Sequence, residues 1–116
     1  MARVVAVFDD LLLGSNVLGM LRAAGYEAEL TGPDKAAPAG AAVLVVDLAT
    51  TGFDGIALFE QLRERGELEG TRALGVYSHV HHEVKERAEA AGFDLVVPRS
   101  RMAREGPALV ERLIAP

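Results

Sequence analysis

The 116-residue sequence contains no cysteine, so disulfide bonds, thiolate metal sites and a cysteine nucleophile are excluded. It has no tryptophan, two tyrosines and four phenylalanines, which leaves few aromatic rings to enclose a flavin. No apolar run approaches the ~20 residues that cross a bilayer, so we expect no membrane segment. The apolar N-terminus reaches Asp9 and Asp10 too soon for a signal peptide, and we therefore expect a cytoplasmic protein.

Basic residues are also scarce. Lys and Arg total 12 against 17 Asp and Glu, which gives a formal net charge of −5. Only Arg99, Arg101 and Arg104 are grouped, so we expect no extended surface for a nucleic-acid backbone. The length suits a single domain over residues 1–116.

Several catalytic and metal motifs are missing. The sequence has no phosphate-binding loop, no dinucleotide glycine fingerprint and no Gly-x-Ser-x-Gly elbow. Ser78 and His79 are adjacent, and adjacent strand residues point to opposite faces, which argues against a Ser–His hydrolase. His79, His81 and His82 do not follow a zinc-ligand spacing, so we interpret them as solvated loop residues.

Apolar runs and helical stripes alternate along the chain. The runs are continuously hydrophobic, as in strands buried on both faces of a parallel sheet. Gly25, Gly66 and Gly92 are expected to end helices, Asp54 to cap the second helix, and Pro107 to lie in the first turn of the last one. The predicted strands cover residues 4–8, 27–31, 42–46, 74–77 and 95–97, and the helical stripes lie within residues 13–24, 56–62, 84–91 and 109–114.

This alternation predicts an α/β domain with a flavodoxin-like, doubly wound, five-stranded parallel sheet of order 2-1-3-4-5. Helices should cover both faces of the sheet. The segment 32–40 contains Pro33 and Pro38, so the second helix should be shortened or missing.

Three carboxylates follow neighbouring strands of this predicted sheet. Asp9 and Asp10 come after the first strand and Asp47 after the third, and these strands flank the topological switch point, where ligands bind. A single aspartate at such a position is more often a turn former or helix cap. As a set, the three would repel one another, and a hard cation such as Mg²⁺ would relieve that repulsion.

Six segments share one family's order and spacing: Val7-Phe8-Asp9-Asp10, Gly25-Tyr26-Glu27, Val45-Val46-Asp47, Asp54-Gly55, Ser78, and Ala90-Ala91-Gly92-Phe93-Asp94. Over nearly its whole length the chain resembles the receiver (CheY-like) domain of two-component response regulators. It departs from the family pattern at five positions. Arg99 replaces a lysine, Ser100 and Thr51 replace prolines, Val96 replaces an aromatic residue and His79 replaces a small one.

The resemblance implies that Asp47 is the phosphoacceptor of a two-component phosphorelay. It implies a Mg²⁺ ion held by Asp10, Asp47 and the backbone carbonyl of Ala49, with Asp9 acting mainly through a water. Ser78 and Arg99 would contact the phosphoryl oxygens. The protein would be a signalling module rather than an enzyme, with self-phosphorylation at most.

The resemblance also implies protein partners. A sensor histidine kinase or a phosphotransfer protein would supply the phosphoryl group. A downstream protein, or a second copy of the chain in a homodimer, would bind the face of the last two helices and the fifth strand (helix four, strand five and helix five in the family's count). That face carries His81, His82, Arg101 and Arg104.

Two other interpretations stay open. The departures at Arg99, His79 and Val96 favour a pseudo-receiver that binds partners without phosphorylation. A small flavodoxin-like enzyme or cofactor-binding protein is a third interpretation, and visible absorbance of the purified protein would support it.

Overall fold

Five parallel strands form one sheet in the order β2-β1-β3-β4-β5, as the sequence predicts. The computed structural model describes residues 2–115. The strands are β1 (Arg3–Val7), β2 (Glu27–Thr31), β3 (Val43–Asp47), β4 (Arg72–Tyr77) and β5 (Leu95–Pro98). β1 and β3 lie side by side although β2 separates them in sequence, so the chain reverses its winding direction between them.

Three α-helices connect strands, namely α1 (Leu11–Ala23), α2 (Gly55–Glu64) and α3 (His82–Ala91), and α4 (Arg99–Ile114) follows β5. Asp54 caps α2 as predicted, with its side chain accepting from the backbone N–H of Ala57. Gly92 ends α3 at φ 113°, a left-handed conformation that glycine adopts without strain. Within residues 2–115, no helix has both the length and the hydrophobicity to cross a membrane.

The central strands are buried on both faces. Val4 and Ala6 of β1 belong to one apolar cluster, which packs against α1 and α4. Val5 and Val7 belong to a second cluster, which packs against α2 and α3. Alternate residues of a strand face opposite sides of the sheet, and in β1 the residues on both sides are apolar because each side packs against helices. The sequence of the strand is therefore continuously hydrophobic.

The shortened second helix is confirmed. A single 3₁₀ turn, Pro33–Lys35, stands where a crossover helix would lie between β2 and β3. Arg3 anchors the segment that follows, since its guanidinium donates to the carbonyls of Ala37 and Ala39 at 2.9 and 3.0 Å. The same guanidinium pairs with Glu29 on β2. One arginine thus fixes a loop that has little regular structure of its own.

The predicted place of Pro107 was wrong. α4 begins at Arg99, eight residues earlier, and Pro107 lies inside the helix. An internal proline removes one helical hydrogen bond, at a cost of about 3 kcal/mol in an isolated helix. Met102 is fully buried and extends the apolar stripe back from Leu109 and Val110. Packing of this longer stripe against the sheet outweighs the local effect of the proline.

Candidate functional site

The carboxyl ends of β1 and β3 bring the predicted acidic residues to one edge of the sheet. Val7 pairs with Val46 in the parallel register, so the chain leaves β1 at Phe8 beside Asp47, the last residue of β3. Asp9 and Asp10 follow at once and are both exposed. The sheet order therefore places the two acidic segments together, as the switch-point argument requires.

Asp47 is buried, with only 2% of its surface exposed. Burial is the main reason that the pKa of this carboxyl is raised above its ordinary value of 3.8, and the nearby charge of Asp10 raises it further. The backbone N–H of Ala49, which donates to Oδ1 at 2.9 Å, acts in the opposite direction, as does the charge of Arg99. The result is a buried carboxylate whose negative charge is only partly compensated.

Asp10 forms the N-terminal cap of α1. Its Oδ1 accepts from the backbone N–H groups of Leu12 and Leu13 at 3.0 and 3.1 Å. Its backbone is extended, at φ −76° and ψ 105°, as a capping residue requires. One carboxylate oxygen of Asp10 is thus occupied by the helix that follows it.

Asp9 contacts the loop after β3. The Thr50 hydroxyl donates to Asp9 Oδ2 at 3.0 Å, and the Thr50 oxygen in turn accepts from the backbone N–H of Gly52 at 2.9 Å. This contact joins residues 41 positions apart in the sequence. The side chain of Asp9 is therefore held by the β3–α2 loop.

The donor chemistry of this edge suits a hard divalent cation. Every group that the sequence analysis names as a ligand offers oxygen, and the undercompensated charge of Asp47 would be stabilised by a cation. As the side chains stand, no three His, Asp or Glu residues within 2–115 are arranged to hold a metal ion. Asp9 and Asp10 are turned toward Thr50 and α1 instead. Mg²⁺ binding stays a prediction.

Ser78 and Arg99 lie at the same edge of the sheet. Tyr77 and Pro98 are paired at the ends of β4 and β5, so the next residues of the two strands, Ser78 and Arg99, emerge side by side. Arg99 is the first residue of α4 and lines a cavity of about 340 Å³ together with Asp10. It is close enough to Asp47 for its charge to lower the pKa of that carboxyl.

Comparison with solved structures decides the fold. A receiver domain of the Francisella response regulator 1452 superposes with a TM-score of 0.83 at 18% identity, over 98% of this chain and 97% of that one. The chemotaxis protein CheY4 of Vibrio cholerae gives 0.83 at 23% identity, over 97% and 98%. The signal receiver domain of a Syntrophus aciditrophicus histidine kinase gives 0.83 at 17%, over 99% and 91%. This chain has the receiver fold. No protein-family model matches the sequence. No curated protein matches it either.

The departures from the receiver pattern lie around this edge. Val96 is buried and pairs with Gly75 of β4, so an aliphatic side chain packs where the family has an aromatic ring. His79, His81 and His82 are all exposed, as their interpretation as solvated residues predicts, but His82 is the first residue of α3 and not a loop residue. Only His82 has a ring neighbour, Tyr77, at 6.4 Å between centroids.

The predicted partner face carries charge that is already paired in part. On α4, Glu105 Oε2 lies 3.5 Å from Nε of Arg101 and 3.6 Å from a guanidinium nitrogen of Arg104. These contacts are exposed, and such pairs contribute little to stability. The two arginines therefore present a mixed rather than a purely basic surface.

Sequence reasoning missed Thr50. Its hydroxyl, in the β3–α2 loop, donates to Asp9, one of the predicted metal-site carboxylates. A weak signal existed, because a threonine two residues before a glycine often forms a local turn through its hydroxyl. Nothing in the spacing indicated that the other partner would be Asp9, since that contact depends on the sheet order.

Proposed function

We propose that this chain is a phosphoacceptor receiver, in which Asp47 accepts a phosphoryl group and the modified protein signals through a protein partner. The carrying observation is Asp47 itself. It is the one polar or charged residue classed as buried within residues 2–115, and it ends β3 at the switch point of the sheet. A buried carboxylate raises the energy of the native state, so its retention at a ligand-binding edge favours a functional role.

The proposed step is a displacement at phosphorus. A carboxylate oxygen of Asp47 forms a bond to the phosphorus of the donor as the bond from phosphorus to the donor's leaving atom breaks. The leaving group departs with that electron pair, and Asp47 becomes an acyl phosphate. Positioning and electrostatic stabilisation account for most of the catalysis in such transfers.

Neighbouring groups would stabilise the transferred phosphoryl oxygens. Ser78 would donate from its hydroxyl, and Arg99 would pair with a second oxygen, in a fork geometry that differs from the point charge of lysine. Asp10, Asp47 and the carbonyl of Ala49 would hold a Mg²⁺ ion, with Asp9 acting through a water. When bound, that ion would neutralise charge on the transferring oxygens.

We further propose that a sensor histidine kinase or a phosphotransfer protein supplies the phosphoryl group. The output would be read on the face formed by α3, β5 and α4, by another protein or by a second copy of the chain. Arg101, His81 and His82 lie on this side of the molecule and are at least partly exposed, which supports its use as a contact surface.

Intact-mass measurement tests the proposal. The chain is incubated with Mg²⁺ and a small acyl phosphate or phosphoramidate, and we expect one phosphoryl group per chain. Asp47→Asn should abolish the adduct, while Asp54→Asn, which keeps a capping acceptor on α2, should retain it. Arg99→Lys should keep or increase the yield. An unmodified mass for the unaltered chain would contradict phosphorylation.

A specific observation favours a second function, that of a phosphorylation-independent interaction module. The side chains of Asp9 and Asp10 are hydrogen-bonded within the protein, to Thr50 and to the start of α1. These contacts give the acidic edge a defined shape that a protein partner could recognise. Partner binding that is unchanged by Asp47→Asn would favour this interpretation.

A further inference from the structure

The hydrogen bonds around Thr50 form a directed chain. The backbone N–H of Gly52 donates to Thr50 Oγ1 at 2.9 Å, and the hydroxyl of Thr50 donates to Asp9 Oδ2 at 3.0 Å. A hydroxyl has a single proton. Because its oxygen already accepts from Gly52, the hydroxyl is oriented with that proton toward Asp9.

Close packing reinforces this arrangement. A Cβ atom built on Gly52 would lie within 2.7 Å of the carboxyl carbon of Asp9, so only a glycine lets the loop approach this far. The backbone of the β3–α2 loop thus lies directly against the Asp9 carboxylate. Two independent features, a hydrogen bond and a steric fit, hold the same side chain.

We infer that Thr50 is a positioning residue that holds Asp9 against the β3–α2 loop and so weakens divalent-cation binding at the acidic edge. The inference rests on the proposed function for the existence of the cation site. A cation whose bound water takes Asp9 Oδ2 displaces the Thr50 hydroxyl from that oxygen. The energy of that hydrogen bond is then subtracted from the binding energy of the ion.

The loop transmits the effect further. Ala49, whose carbonyl is the predicted backbone ligand, directly precedes Thr50, and Asp54 begins α2 soon after. When Asp9 leaves Thr50, the β3–α2 loop loses the hydrogen bond that ties it to Asp9. Cation binding and the conformation of the β3–α2 loop are therefore coupled, and by reciprocity a change that loosens the loop favours the cation.

The test compares cation affinity in three variants of the full chain. Mn²⁺ is titrated, and the free ion is counted by its electron paramagnetic resonance signal. Thr50→Val removes the hydroxyl but keeps the branched shape, and it should bind Mn²⁺ roughly two- to ten-fold more tightly, the effect of one net hydrogen bond. Thr50→Ser keeps a hydroxyl and should match the unaltered chain. Thr51→Val, at the exposed neighbouring threonine, is the matched control and should also be unchanged.

A second measurement needs no variant. Hydrogen exchange of the Gly52 amide should speed up when Mg²⁺ is added to the unaltered chain, because its acceptor, Thr50 Oγ1, is then no longer fixed by Asp9. Equal or weaker Mn²⁺ binding by Thr50→Val, or a Gly52 amide that Mg²⁺ protects, would overturn the inference, as would an absence of Mn²⁺ binding in every variant. Mass labelling of Asp47 is read in parallel. If Asp47 is phosphorylated but the unaltered chain and Thr50→Val bind Mn²⁺ equally, only the role of Thr50 is rejected. If their Mn²⁺ affinities differ but Asp47 is not phosphorylated, only phosphorylation is rejected.

Discussion

The Asp10 side chain caps α1 and also places a negative charge near Asp47, and substitutions can separate these two effects. Its Oδ1 satisfies the N–H groups of Leu12 and Leu13 at the start of α1, and its charge lies near the buried carboxylate of Asp47. The capping interaction stabilises the fold, whereas the repulsion destabilises it. Asp10→Ala removes both, but Asp10→Asn removes only the charge because the amide oxygen can still accept from the helix.

The magnitudes follow from these contacts. Loss of an N-cap side chain costs about 1 kcal/mol, within a range of roughly 0.5–2. For 116 residues the entropy of unfolding is about 0.24 kcal/mol/K, so 1 kcal/mol corresponds to a fall of about 4 °C in Tm. We therefore expect Asp10→Ala to lower Tm by up to about 4 °C in the absence of divalent ions, since relief of the repulsion offsets part of the loss of the cap, and Asp10→Asn to leave Tm unchanged or slightly raised.

Thermal unfolding followed by far-UV circular dichroism measures Tm for both variants at neutral pH and low salt, and urea unfolding measures their free energy of unfolding. The same experiment with saturating Mg²⁺ tests the proposed metal role. The unaltered chain should gain stability by mass action, and Asp10→Ala should lose that gain. If Asp10→Asn is as unstable as Asp10→Ala, the hydrogen bonds to α1 do not carry the effect. The separation of capping from charge would then be refuted.

Two other stability predictions follow from the same structure. The pKa of Asp47 is raised, so the native state binds its proton more tightly, and stability should fall as pH rises from about 3.8 through the raised pKa. Asp47→Asn should accordingly have a higher Tm than the unaltered chain at pH 7, and the gap should close in acid; a constant gap would contradict this. Gly55→Ala should destabilise by about 1–3 kcal/mol, since its Cβ would lie 2.8 Å from Val46 and 2.9 Å from a backbone carbonyl. Gly19→Ala, in open space on α1, should stabilise by up to about 1 kcal/mol and is the matched control; equal effects in urea would refute the packing argument.

The sheet could be predicted because its signal is local. Each central strand contains a short apolar run, such as residues 43–46, and each run is followed by a polar or glycine-containing break. Alternation of strands with helical stripes then restricts the topology to a few right-handed windings. The order 2-1-3-4-5 and the loss of the second helix followed from these rules and from two prolines.

The residue at which α4 begins could not be predicted in the same way. Local propensity places a proline at the start of a helix, and Pro107 lies inside one because Met102 packs against the sheet. The charged residues between Arg99 and Glu105 hide that stripe in the sequence. Tertiary packing decides such a segment, and a single sequence contains no direct record of it.

At the acidic edge, the sequence predicts which residues come together but not the directions of their side chains. Strand ends and sheet order brought Asp9, Asp10 and Asp47 together, but neither predicts which way each carboxylate turns. In the structure Asp10 faces the N-terminus of α1 and Asp9 faces Thr50, so both have partners within the protein. Of the three, Asp47 combines burial with a charge that is only partly compensated. Neutralising this edge should therefore relieve most at Asp47, which is buried, whereas Asp9 and Asp10 are exposed and already hydrogen-bonded within the protein.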